Sequence, residues 1–163
     1  MEKYKVLLVC MGNICRSPSA EAIVRSLAQQ AGLASLLEVD SAGTHAYHEG
    51  EQPDPRVKKV AARRAYDLSG IRARRLVARD YEYFDRILAM DRQNLEFMQR
   101  SCPSEFRNKL GLFMEFAKDT TWDEISDPYY GGEDGFERAF DLCEQAGKGL
   151  IRMIESKVSH PSF

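Results

Sequence analysis

The chain has 163 residues, 44% of them hydrophobic, which suits one globular domain and is too apolar for a disordered chain. A formal charge of −2 argues against a dedicated nucleic-acid binder, and no apolar run approaches the roughly 18 residues of a transmembrane helix, so neither nucleic acid nor membrane is an expected partner. The four cysteines (Cys10, Cys15, Cys102, Cys143), with no secretion signal before them, argue against a disulfide scaffold and point to a cytosolic protein.

In chain order, residues 4–9 (YKVLLV) form a continuous apolar run, as in a strand buried on both faces of a parallel sheet. Ser17-Pro18 then opens a helix, Ser17 as N-cap and Pro18 at the first helical position, and Gly32 closes it. A second strand is expected at 36–41. A helix starting at Asp54-Pro55 is expected to run toward Gly70, and a third strand covers 86–90. Asp91 is a natural N-cap for the next helix, and a fourth strand spans 109–114. An acidic loop over 115–131 is too long to be an idle connection, and a closing helix follows from Glu133 to Ser156. The basic run from Arg56 to Arg79 reads as a solvated helix face and loop. Alternating strands and helices, without repeat or linker, predict one α/β domain over residues 1–163: a twisted parallel sheet with helices on both faces.

Ligands of open parallel sheets bind beyond the carboxyl ends of the strands. There the sequence places Cys10-Met11-Gly12-Asn13-Ile14-Cys15-Arg16-Ser17. A loop of this length ending at a helix N-terminus is able to wrap its backbone N–H groups around a tetrahedral oxyanion. Gly12 is expected to supply positive φ and Asn13 to tolerate it, while Arg16 offers a planar fork for two phosphate oxygens. Cys10 at the floor of such a cradle is a candidate nucleophile, since helix N-termini and cations favour the thiolate, and Ser17 is a candidate hydroxyl donor to its sulfur. A leaving oxygen needs an acid, and the long loop offers Asp127, stiffened by Pro128 and followed by Tyr129 and Tyr130, two rings suited to walling a flat aryl group.

These residues closely resemble the low-molecular-weight protein tyrosine phosphatases. The resemblance rests on VCMGNICRSPSAE near the N-terminus and DPYY in the late loop. Between them, in order, stand DSAGT (Asp40 to Thr44), Pro53-Asp54, ILAMD (Ile87 to Asp91) and Asn94-Leu95. It implies a four-stranded parallel sheet and catalysis with neither metal nor other cofactor. Cys10 would take the phosphoryl group, Arg16 and the loop amides would bind it, and Asp127 would serve as general acid and then base. Asn13, Ser17 and Ser41 would hold the loop, and Tyr47, Tyr129 and Tyr130 would line the entrance. The expected partners are phosphotyrosine-containing proteins, with inorganic phosphate as product, and the expected state is a monomer. In relatives the paired tyrosines are themselves phosphorylated, so Tyr129 and Tyr130 become candidate regulatory sites. Cys15 reads either as simple packing under the loop or, as the resemblance supports, as the partner of oxidised Cys10 in a protective disulfide. One departure is Ile71, where many relatives carry a histidine that braces the phosphate loop, so the loop is either looser here or braced through another group.

Three rival functions are weaker. A thioredoxin-coupled arsenate reductase needs two relay cysteines close together in a mobile segment, whereas Cys102 and Cys143 are far apart and residues 75–95 hold none. A pure phosphate-binding module needs neither thiolate nor acid. A metal hydrolase lacks ligand spacing around His45, His48 and His160, and the first two read as exposed loop residues near the entrance.

Overall fold

The computed structural model of the chain describes residues 2–130 and 133–159. Four parallel strands, β1 (Tyr4–Cys10), β2 (Leu37–Gly43), β3 (Arg86–Ala89) and β4 (Leu110–Leu112), form one sheet in the order β2-β1-β3-β4. Helices α1 (Arg16–Gln30), α2 (Pro55–Arg63), α3 (Ala78–Tyr83), α4 (Arg92–Ser101) and α5 (Glu133–Ser159) complete it, with short 3-10 turns at 104–109, 113–116 and 128–130.

The apolar run of β1 explains its central place. Successive side chains of a strand face opposite ways, and both faces of β1 are covered. Val6 and Leu8 join a core containing Ile23, Val24, Phe140 and Leu150 from α1 and α5. Leu7 and Val9 join a second core with Tyr81, Phe84 and Met98 from the α3–α4 side. Truncating one such side chain to alanine typically costs about 2–5 kcal/mol. Among the described residues no helix is long and apolar enough to cross a membrane.

Several expected boundaries move. α1 begins at Arg16 with Cys15 in the N-cap position, so Ser17 lies inside the first turn and caps nothing; its hydroxyl is turned to the Cys10 sulfur instead. α2 stops at Arg63 rather than near Gly70, because the chain reverses at Ala65, whose φ is +62°. The segment after it runs beside the loop that follows β2, with Gly43 N donating to Arg74 O (2.9 Å) and Ala73 N to Glu51 O (2.9 Å). α3 was not expected; its start is marked by Asp80, whose carboxylate accepts from Val77 N at 2.8 Å. The fourth strand is shorter than 109–114, because residues 113–116 turn into a 3-10 helix. The Asp54 and Asp91 caps are as expected, accepting from Arg56 N and Asn94 N respectively.

Candidate active site

The carboxyl ends of β1, β2 and β3 meet at one edge of the sheet, and the candidate residues gather there. Cys10, the last residue of β1, pairs in register with Gly43, the last of β2. The chain then turns through residues 11–15 into α1. Its curl depends on Asn13, whose φ is +57°. Gly12 is not the positive-φ residue; a Cβ there would crowd Cδ2 of His48 at 3.1 Å, so that ring would have to give by a few tenths of an ångström. Gly43 is more tightly constrained, because an added Cβ would lie 2.7 Å from the backbone Met11 O. That close approach lets Thr44 N donate to Cys10 O (2.9 Å) and His45 N to Met11 O (3.0 Å), so the loop after β2 buttresses the cradle.

Cys10 Sγ accepts from Asn13 N at 3.3 Å and lies 3.0 Å from Ser17 Oγ. Asn13 is the keystone. Its Nδ2 donates to Ser17 Oγ (2.8 Å) and to Ser41 Oγ (3.0 Å), and its Oδ1 accepts from Arg74 N (2.9 Å). These three bonds brace the loop without residue 71; Ile71 is buried in the apolar core. The amides of Arg16 and Ser17 belong to the first helical turn, which has no intrahelical acceptors for them and presents its positive end to the cradle.

Arg16 is only 2% exposed. Its Nη1 donates to Asp91 Oδ2 (2.6 Å) and to Ile125 O (2.9 Å), and its Nη2 stands 3.6 Å from Asp127 Oδ2. Burial opposes its charge, but Cys10, Asp91 and Asp127 around it outweigh that and hold its pKa above the ordinary arginine value. Asp91, expected only as a helix cap, therefore also orients the Arg16 guanidinium. Nothing in its local sequence signals this second role, because the partner is far along the chain.

Asp127 comes from the long loop, which is pinned next to β3 by Ile125 N donating to Met90 O (2.8 Å). Asp127 Oδ1 accepts from Tyr129 N (3.0 Å), and Arg56 bonds Tyr129 O (3.2 Å) while its guanidinium lies 5.2 Å from the Tyr129 ring centroid. A cleft of about 60 Å³ is lined by Cys10, Met11, Gly12, Ile14, Cys15, Arg16, Tyr47, His48, Asp127 and Tyr129. Tyr47 is 72% exposed at the rim and stacks on His45 at 5.1 Å. His45 and His48 are half-buried rather than exposed. His48 belongs to the wall, held by Glu51 through Nδ1 (2.6 Å), with its ring centroid 6.1 Å from that of Tyr129. Tyr130 closes the short turn after Asp127, but its side chain lies outside the described residues, as does His160.

All four cysteines are free thiols and buried. Cys15 is pushed well above the usual thiol pKa, first by burial and then by the negative neighbours Asp54, Cys10 and Asp127. Cys102 lies in the core beside α4 and Cys143 in the core on the other face of the sheet.

Comparison with known proteins gives one answer throughout. A family model described as low molecular weight phosphotyrosine protein phosphatase matches residues 5–160. A low molecular weight phosphotyrosine protein phosphatase of Schizosaccharomyces pombe is 44% identical over 154 residues, covering 94% of this chain and 98% of the relative. Its human counterpart is 37% identical over 147 residues, covering 90% and 92%. Among solved structures, a protein tyrosine phosphatase from Entamoeba histolytica superposes with a TM-score of 0.91 at 42% identity, covering 94% of this chain and 98% of that one. The chain belongs to the low molecular weight phosphotyrosine protein phosphatase family.

Proposed function

We propose that this protein hydrolyses phosphotyrosine in proteins through a cysteinyl-phosphate on Cys10. The observation that carries the reading is the convergence of Cys10, Arg16 and Asp127 on one cleft walled by Tyr47 and Tyr129. In the first step the Cys10 thiolate attacks phosphorus, the bond from phosphorus to the aryl oxygen breaks, and Asp127 gives its proton to that oxygen. Arg16 and the first-turn amides of α1 neutralise charge on the equatorial oxygens. In the second step Asp127 takes a proton from water, the water oxygen bonds to phosphorus, and the sulfur–phosphorus bond breaks to release inorganic phosphate and restore the thiolate. Asn13, Ser17 and Ser41 hold the loop in the shape both steps need. No step calls for a metal or other cofactor. The cleft walled by Tyr47, His48 and Tyr129 suits a phosphate carried on a flat ring.

Our reading extends to a single domain over the whole chain, acting as a cytosolic monomer, with Tyr129 and Tyr130 as candidate sites of regulatory phosphorylation and Cys15 as a partner for oxidised Cys10. Arsenate reduction gains no support, since Cys102 and Cys143 sit on opposite sides of the sheet and offer no relay. The test is phosphate release from phosphotyrosine and phosphoserine peptides in EDTA, for wild type and Cys10→Ser. Tyrosine-selective release lost in the variant supports the reading, and no release from the wild type discards it.

A further inference from the structure

The turn that follows Asp127 is met from the side by Arg56, in the first turn of α2. Asp54 caps that helix, and its carboxylate holds the Arg56 guanidinium at two points. Oδ1 accepts from Nε at 3.0 Å and Oδ2 from Nη2 at 2.9 Å. The third nitrogen, Nη1, donates to Tyr129 O at 3.2 Å. The guanidinium is also flanked by two rings, 5.2 Å from the Tyr129 centroid and 4.6 Å from that of Phe136 in α5. Asp54 is tied in turn to the anion loop, because its N–H donates to Ile14 O at 2.9 Å. The loop of the nucleophile, Asp54, Arg56 and the turn after Asp127 thus form one connected path. Capping needs only the Asp54 carboxylate on the Arg56 N–H, at 2.8 Å, so it accounts for none of the contacts beyond.

From this geometry we infer that Arg56 is a positioning residue for Asp127, holding the turn of residues 128–130 in place against the anion loop. The inference rests on the phosphatase reading, in which Asp127 is the acid. Arg56 acts through the Tyr129 backbone. It holds the carbonyl of Tyr129, and the N–H of the same residue donates to Asp127 Oδ1 at 3.0 Å. That bond fixes one oxygen of the acid, while Oδ2 stands 3.6 Å from Arg16 Nη2. Movement of the turn therefore carries the carboxyl group with it, and a reacting group displaced by about 1 Å loses much of its effect. An arginine suits the task because its planar fork presents several N–H groups in fixed directions. Two nitrogens are set on Asp54, which aims the third at the turn. The ammonium of a lysine is a point charge and has no such fixed directions. Protonation of the leaving oxygen is the part of the reaction that depends on this aim. Loss of Arg56 must then hurt most where that oxygen most needs a proton.

The test varies the leaving group. Phenyl phosphate releases a phenol with a pKa of about 10, like tyrosine, which leaves poorly without a proton. The nitro group of p-nitrophenyl phosphate makes a far more acidic phenol that scarcely needs one. The number to compare is kcat/KM, which reports the step in which the aryl oxygen leaves; hydrolysis of the cysteinyl-phosphate is common to both esters. Arg56→Ala is expected to lower kcat/KM about tenfold for phenyl phosphate and about twofold or less for p-nitrophenyl phosphate. Arg56→Lys keeps the charge and the stem; it should show the same pattern in smaller measure, and it decides alone if Arg56→Ala does not fold. In an Asp127→Asn background, Arg56→Ala should change kcat/KM for phenyl phosphate by less than about twofold, because the acid it positions is gone. Equal losses for the two esters, no loss for either, or a tenfold loss that persists without the Asp127 acid overturns the proposal. The turn is also read without turnover, by the nitrogen-15 order parameter of the Tyr129 amide, which should fall by about 0.2 in Arg56→Ala. An unchanged order parameter overturns the proposal as well. A wild type that cleaves neither ester sinks the phosphatase reading by itself, and the order parameter still decides whether Arg56 holds the turn.

Discussion

Asp91 divides its two carboxylate oxygens between the fold and the site: Oδ2 holds Arg16 Nη1 at 2.6 Å while Oδ1 accepts from Asn94 N at 2.7 Å. One side chain thus caps α4 and sets the plane of the buried guanidinium. The two duties separate by mutation. Asparagine caps a helix about as well as aspartate, but it carries no charge for Arg16. Asp91→Asn is therefore expected to lower kcat/KM about tenfold or more and to lower the thermal midpoint, because the buried guanidinium loses its nearest charge. Asp91→Ala is expected to lose the same activity and roughly 1 kcal/mol of stability beyond that. Steady-state kinetics beside thermal denaturation of both variants checks this, and equal destabilisation by the two would contradict it.

The contact between Gly12 and His48 gives a second prediction. A methyl group at residue 12 meets the His48 ring, and Glu51 and Tyr129 limit how far that ring moves aside. Gly12→Ala should cost about 1–3 kcal/mol through overpacking and lower the phosphatase rate by displacing the cradle. Gly12→Ala combined with His48→Ala should recover part of both losses. A double variant no better than the single would show that backbone conformation, rather than space, explains the glycine.

Ile71 presents the opposite case. It is buried among apolar neighbours, and the phosphate loop is braced by Arg74 N and Ser41 without it. Ile71→His places a polar ring in this core and should cost about 1–3 kcal/mol, a fall of a few degrees in thermal midpoint for a chain of this length. A histidine at residue 71 is thus expected to destabilise this chain. A rise in thermal midpoint would mean that the loop wants the missing bond.

The proposed disulfide between oxidised Cys10 and Cys15 carries a definite pH sign. Disulfide exchange needs the attacking thiol as thiolate. The Cys15 pKa is raised by burial and by Asp54, Cys10 and Asp127, so its thiolate fraction is small at neutral pH and grows as pH rises. After peroxide oxidation of Cys10, closure of a Cys10–Cys15 bond should therefore be slow at neutral pH and accelerate steadily in alkaline buffer. Time-resolved counting of free thiols after a peroxide pulse measures it. A rate independent of pH, or peroxide inactivation that a dithiol fails to reverse, removes Cys15 from the reaction.

Much of this protein is legible along the chain. The strand of residues 4–9, the Asp54 and Asp91 caps, the order of strands and helices, and the anion loop from Cys10 to Ser17 are local patterns. Period, capping chemistry and a cysteine–arginine spacing need only near neighbours to be read. The exact start of α1 and the end of α2 at Arg63 were missed, because the Cys10 sulfur takes the Ser17 hydroxyl and the chain reverses at Ala65; α3 was missed although its signal, Asp80 accepting from Val77 N, is local.

The site divides in the same way. By residue type and spacing, sequence alone determined which residues are the candidates: Cys10, the loop to Ser17, and Asp127. Only the tertiary structure decided how they are aimed. Arg16 is oriented by Asp91 and by the Ile125 carbonyl, Gly12 is crowded by His48, and the cradle is held through Asn13 by Ser41 and by Arg74 N. Such partners lie tens of residues apart in the chain. Their hydrogen bonds gain strength and direction only where folding has excluded water, and no local pattern encodes that burial.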